Sequence, residues 1–288
     1  MSSFFDQIEQ NKRNSIILLI FMFAVVFAVI WAASLLLFGD SPLGFFIVAI
    51  LSAAYVYFIY NNASKIILSF SSAKPAEKLQ YPYLHNVVEG LSLAAGIPTP
   101  KIYIIDEPGL NAFATGFSPE NASVAFTKGL VENLNRAELE GVVAHEISHI
   151  KNFDVRFSTL TVALAGLVVI ISDLFMRVFI HGRRGRGKIS PILLIIALAI
   201  IVISPIFVML IRFALSRQRE YLADSTAVQL TRYPEGLASA LEKIAKIGSK
   251  VSVANDATAS LYFASPLGAS LFSTHPPIEE RIKRLRQM

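Results

Sequence analysis

Charge-free apolar stretches alternate along this chain with polar segments of short periodicity. Residues 14–39 and 41–64 contain no charged side chain, and the turn Asp40-Ser41-Pro42 separates them. About twenty apolar residues cross the hydrocarbon core of a bilayer, so each stretch is long enough to span. Together they predict a transmembrane helical hairpin. The first stretch is too long for the apolar part of a signal peptide, and a second span follows it at once, so it reads as a retained anchor. Two further charge-free runs cover residues 157–172 and 189–211. The last is long enough to span; the third reaches that length only if Asp173 and Arg177 are included. These two sit four apart and are expected to pair on one helix face, the alternative being a polar path for substrate. The runs predict a second hairpin entering the membrane, fully spanning or re-entrant, closed by the basic loop 181–188.

The polar segments read as pieces of a folded domain. Helical periodicity runs from Tyr83 to Ala95. Short strands are predicted at 101–105, 111–117 and 123–127, with turns at Asp106-Glu107-Pro108-Gly109 and Ser118-Pro119-Glu120-Asn121. A helix start is marked by Asn135 as N-cap, Glu138 three residues on, and Leu134 and Leu139 at staple positions. That helix is expected to run to about Asn152. Beyond the last apolar run, helices are predicted through Leu230, over 234–247 and over 278–287, the last basic and amphipathic, with 250–270 loop-rich. The organisation is therefore a head (1–13), a transmembrane hairpin (14–64), the first part of a domain (65–156), a second hydrophobic hairpin (157–211) and the second part of the domain (212–288).

Composition sharpens this. Apolar residues make up 54% and charged residues 16%, with mean hydropathy +0.55, outside the range of soluble chains. The net charge of +5 comes from basic residues flanking the apolar stretches. Lys12, Arg13, Lys65, Lys74 and Lys78 on the outer ends of the first hairpin place the N-terminus and everything after residue 65 in the cytoplasm of a multi-pass cell-membrane protein. No basic stripe interleaved with aromatics suggests nucleic acid. The chain has no cysteine, so a metal must be held by His, Asp or Glu.

His145-Glu146-Ile147-Ser148-His149 carries the most chemistry. On a helix, His145 and His149 share a face and can bind one Zn²⁺, while Glu146 can act as base on a water beside the metal. A catalytic zinc site needs a third protein ligand. Without cysteine a carboxylate is expected, and Glu220 and Asp224, four apart on a predicted helix, offer one ligand and one acceptor for the free ring N–H of a ligand histidine. One zinc per chain is implied. His275, Tyr221, Arg217 and Arg219 are candidate donors to a developing oxyanion, and Asp154 and Arg156 read as stabilising the end of the motif helix.

With these motifs in hand, the chain resembles the HtpX family of membrane-embedded zinc metalloproteases. The shared features are HExxH, the Arg217/Glu220/Ala223/Asp224 helix, the segment Asn111-Ala112-Phe113-Ala114-Thr115-Gly116 and the closing Ser273-Thr274-His275-Pro276-Pro277. The CAAX prenyl-protein protease shares them but has more spans. The resemblance implies a mainly α membrane protein with a cytoplasmic gluzincin-type α+β domain, a small sheet, and removal of misfolded or damaged membrane proteins. It also implies that Asn111, Ala112, Phe113 and Ala114 form an edge strand to which a polypeptide substrate adds. It places His275 near the site as an oxyanion donor or an occupant of the open metal position, against the plainer reading of a loop histidine. A narrow processing protease for one lipidated or signal-bearing substrate has the same chemistry, and a non-catalytic scaffold would not need Glu146. A transporter is excluded because, Asp173 and Arg177 apart, the charged residues and histidines lie in the polar segments and not along the spans.

Overall fold

The computed structural model describes residues 41–160, 162, 217–254, 261–264 and 276–288, with scattered positions between 9 and 31. Most of the head, most of the second hydrophobic hairpin with Asp173 and Arg177, the basic loop, and His275 lie outside the described residues.

Helix α1 (Pro42–Phe70) begins at the extended Ser41 with Pro42 in its first turn, where a missing N–H costs nothing. It carries the second apolar stretch and extends six residues past the domain boundary expected from charge. Among the described residues it is the one helix long and apolar enough to cross a membrane.

Then follow β1 (Lys74–Pro75), α2 (Pro82–Ala95), β2 (Lys101–Ile105), β3 (Ala112–Thr115), β4 (Ser123–Thr127), α3 (Lys128–Asn133), α4 (Arg136–Lys151), α5 (Arg217–Thr231), α6 (Pro234–Ile247) and α7 (Ile278–Leu285). Proline opens α2 and α6, and Gly96 closes α2 in the left-handed conformation, at φ 72°. The two-residue β1 and the six-residue α3 were too short to show a period. Thr127 caps α3 by accepting from the Leu130 N–H. The second predicted strand, 111–117, shortens to β3.

The sheet is mixed, in the order β1-β2-β4-β3. β2 and β4 are parallel, with Ile104 opposite Phe126; β3 is antiparallel to β4, with Ala114 opposite Val124. β3 is thus an edge. Alternate residues of each strand face opposite layers. Ala112, Ala114, Val124 and Phe126 join a core with Leu139, Val142, Val143, Ile147 and Ile150 of α4 and Leu237 and Leu241 of α6. Phe113, Ile105 and Ala125 face the other way, onto Ile67 and Leu68 of α1, with Val162 and Tyr262. The sheet is covered on one face by the motif helix and on the other by the end of the apolar helix. This explains why its strands read as nearly continuous apolar runs.

Candidate active site

The site is built on α4. Its start is the reciprocal capping box expected from sequence: Asn135 Oδ1 accepts from the Glu138 N–H at 3.0 Å, and Glu138 Oε2 accepts from the Asn135 N–H at 2.8 Å. Glu138 also accepts from Ser239 and Lys243, which ties the helix start to α6. The helix then lies in the core, and His145, Glu146 and Ser148 are all buried. The imidazoles of His145 and His149 converge, with their Nε2 atoms 3.0 Å apart.

Helix α5 crosses α4 and delivers Glu220. Its Oε2 is 3.6 Å from His145 Nε2, and its Oε1 is 3.6 Å from His149 Nε2. The three residues each offer a ligand atom within 4.8 Å of the others. Tetrahedral zinc with bonds of about 2.0–2.2 Å would set its donor atoms about 3.3–3.5 Å apart. The observed separations bracket that value, and the donor set, two nitrogens and a carboxylate, fits a divalent ion.

Each ring is oriented by its far nitrogen. His145 Nδ1 lies 2.9 Å from Asp224 Oδ1, and His149 Nδ1 lies 3.0 Å from Asp154 Oδ2. Carboxylates at both Nδ1 positions place the ring protons there and leave both Nε2 lone pairs facing the shared centre. Asp154, read from sequence as a helix stabiliser, is thus directed at a site histidine. Burial works against a proton on His149, but the hydrogen bond to Asp154 and the charges of Glu220, Asp154 and Glu146 outweigh it and raise its pKa to about 9. The same negative field favours a bound cation.

Sequence reasoning missed Arg281. It lies on α7, is 1% exposed, and forms a two-point fork to Asp224, with Nε–Oδ2 at 2.9 Å and Nη2–Oδ1 at 2.7 Å. Its Nη1 also reaches the Phe263 carbonyl at 3.4 Å. Burial opposes the charge on Asp224, yet Arg281 and the His145 N–H hold the carboxyl below its usual range. One signal was available: Ile278, Arg281, Ile282 and Leu285 fall at helical spacing, so the arginine occupies the apolar stripe of its helix.

The cavity at this centre measures about 30 Å³ and is lined by Ala114, His145, Glu146, His149, Arg219 and Glu220, with residues 261–263. That is room for an ion or a water rather than a peptide. Of the candidate oxyanion donors, Arg219 reaches the cavity, and burial lowers its pKa. Its Nη2 has no hydrogen-bond partner among the described residues. Arg217 is exposed, and the Tyr221 ring lies under Arg284 at 3.7 Å, away from the centre.

In the 111–114 segment, Asn111 is occupied within the protein. Its amide donates to the carbonyls of Ser249 and Ala264 and its Oδ1 accepts from the Ala264 N–H, clasping the loop expected at 250–270 to the sheet. Phe113 points into the opposite layer, edge-on to Tyr262. Ala112 O accepts from the Phe263 N–H at 2.8 Å, and Ala114 lines the cavity. The Phe263 ring stands edge-on to His145 at 4.9 Å, beneath Arg281.

Residues 78–288 match the family model of peptidase family M48. The chain is 51% identical over 290 residues to a "Protease HtpX homolog" of Dictyoglomus turgidum, covering 99% of this chain and 95% of that one. Against the "Protease HtpX homolog" of Listeria monocytogenes serotype 4a, identity is 41% over 302 residues, covering 99% of each. The crystal structure of Ste24p from S. mikatae superposes with a TM-score of 0.51 at 19% identity, covering 96% of this chain and 66% of that chain.

Proposed function

The chain belongs to peptidase family M48, and from that premise we propose that it is a zinc-dependent membrane endopeptidase of the HtpX type that cuts misfolded or damaged membrane proteins. The convergence of His145, His149 and Glu220 on one point, with a carboxylate behind each imidazole, carries this reading. His145, His149 and Glu220 hold the ion, and Asp224 and Asp154 orient the two rings. When bound, zinc supplies Lewis acidity toward a water and a scissile carbonyl.

Glu146 is the general base. It is buried at the cavity wall and is not part of the ligand group. It takes the proton of the attacking water as the C–O bond forms, then delivers it to the nitrogen as the C–N bond breaks. Arg219, which lines the cavity and whose buried Nη2 has no hydrogen-bond partner among the described residues, is the protein donor assigned to the developing oxyanion. The edge of β3 at Ala114 positions the substrate backbone.

The α4–α5 pairing supports a protease domain made of 65–156 and 212–288. Both halves of the ligand set then lie on one side of the membrane, so 157–211 crosses it twice or not at all. The basic flanks of the first hairpin put that side in the cytoplasm.

The test is Glu146→Gln in detergent-purified protein. It should retain one zinc per chain and lose nearly all cleavage of an unfolded polypeptide, whereas His145→Ala and His149→Ala should lose both. Near wild-type cleavage by Glu146→Gln would exclude the mechanism.

A further inference from the structure

We propose that Phe157 is a positioning residue for the reaction: the face of its ring fixes the guanidinium of Arg219 at the wall of the cavity. The proposal rests on the reading of Arg219 as donor to the developing oxyanion. Such a donor lowers the barrier only if it is in place before the charge develops. An arginine is not held in place by its own chemistry, because its long side chain has many rotamers to lose. Its neighbours must restrain it.

The ion pair at Arg219 is too loose to do so. Its Nε lies 3.9 Å from Asp154 Oδ1, beyond hydrogen-bonding distance, and its Nη2 has no hydrogen-bond partner among the described residues. Burial lowers its pKa, and the charges of Asp154 and Glu220 work against that lowering. Attraction between charges at such a distance favours the cation but sets no orientation. The Phe157 ring does set one. Arg219 Cζ stands over it, 5.0 Å from the centroid, inside the range of about 6 Å over which the negative face of an aromatic ring attracts a guanidinium. The Arg219 side chain is 15% exposed, and removal from water strengthens this contact.

Phe157 is itself held. Residues 154–160 are helical, and positions three apart share a helix face. Asp154 and Phe157 therefore present a carboxylate and a ring to the same guanidinium, while Val155 and Ser158 of the same turn line the cavity. The residues around Phe157 are tied down. Asp154 Oδ2 meets His149 Nδ1 at 3.0 Å, Arg156 Nε donates to the Phe117 carbonyl at 2.6 Å, and Thr159 Oγ1 accepts from the Gly116 N–H at 3.0 Å. One helical turn thus serves both parts of the centre, with Asp154 orienting a ligand imidazole and Phe157 the donor. Phe157 is also the first residue of the third charge-free run, whose length and apolarity alone gave it no part in the chemistry.

The experiment uses the full chain with zinc and an unfolded polypeptide as substrate, and reads kcat, KM and zinc content. Phe157→Leu keeps an apolar side chain but removes the ring. It should lower kcat about 3–30-fold, the factor a cation–π contact supplies, with KM unchanged and one zinc per chain. Phe157→Tyr restores the aromatic face and should recover most of the loss. Ring-fluorinated phenylalanine at position 157 preserves the shape and weakens the negative face, so kcat should fall stepwise with fluorine content; this arm decides the matter even if Phe157→Leu does not fold. Arg219→Gln should lose about 100–1,000-fold in kcat, and adding Phe157→Leu to it should cost nothing further, because the ring acts through the guanidinium.

Three results overturn the proposal while leaving Arg219 as the donor: wild-type kcat in Phe157→Leu, a kcat indifferent to fluorination, or a full further loss when Phe157→Leu is added to Arg219→Gln. Wild-type cleavage by Arg219→Gln beside an inactive Glu146→Gln would remove Arg219 from the mechanism. The proposal would then fall with it, and the endopeptidase reading would stand.

Discussion

Replacing Arg281 by methionine tests how the proposed metal site is held from behind. The guanidinium does not belong to the His145, His149 and Glu220 ligand group, yet it makes both charge-assisted bonds to Asp224, which in turn orients His145. Removing it leaves Asp224, 2% exposed, with a buried charge facing only the imidazole. Removing one partner of a buried ion pair costs about 3–5 kcal/mol. At about 2–4 °C per kcal/mol for a domain of this size, the thermal midpoint should fall by about 6–20 °C. Loss of an outer partner of a ligating histidine weakens metal affinity about 10–100-fold, equivalent to about 1.4–2.7 kcal/mol.

Arg281→Lys keeps the charge but not the planar fork, and should fall between wild type and Arg281→Met. The double variant Asp224→Asn/Arg281→Met should cost less than the sum of the two single changes, because no unpaired charge remains. The assays are thermal unfolding in detergent and metal content after dialysis against graded chelator. An Arg281→Met protein that keeps its thermal midpoint and holds zinc within about threefold of wild type would refute the reasoning.

Other expectations follow from the same geometry. Glu220→Ala should abolish stoichiometric metal, and Asp224→Ala should weaken it about 10–100-fold; a deeper loss in Asp224→Ala on metal analysis would reverse the two roles. Burial works against ionisation of Glu138, but its bonds to Lys243, Asn135 and Ser239 prevail and lower its pKa. Its contribution is therefore full above the unfolded value of about 4.5 and is lost as pH falls through the lower folded value. The stability advantage of wild type over Glu138→Gln at pH 7 should shrink below pH 4.5; an unchanged gap in thermal midpoint would show that Glu138 is not ionised in the fold. Gly141 is where α4 touches α6 backbone to backbone: a Cβ there would lie 2.7 Å from Leu237 N and 2.8 Å from Leu237 Cα. Gly141→Ala gains about 1 kcal/mol of helix propensity but forces the helices apart at a cost of about 1–3 kcal/mol or more. Its thermal midpoint should drop, and a rise would show that the contact is looser than the structure indicates.

The sequence by itself determined whatever depends on neighbours within a few turns. The capping box of Asn135 and Glu138, the shared face of His145 and His149, and the pairing of Glu220 with Asp224 are all spacings of three or four residues, which a helix converts directly into geometry. The apolar length of 41–64 likewise announces a helix with the dimensions of a bilayer. Tertiary structure alone decided which groups complete the site. Arg281 meets Asp224 across 57 residues, and Phe263 reaches the edge at Ala112 from a stretch whose low charge and irregular pattern showed only a loop. Asp154 is near His149 in sequence, but its aim depends on the turn at Asn152 and Phe153, where Phe153 adopts φ 61°. Such contacts leave no period in the chain, because burial of an arginine or closure of a strand edge depends on which surfaces meet, and those meetings are set by the packing of α4 between the sheet, α5 and α6.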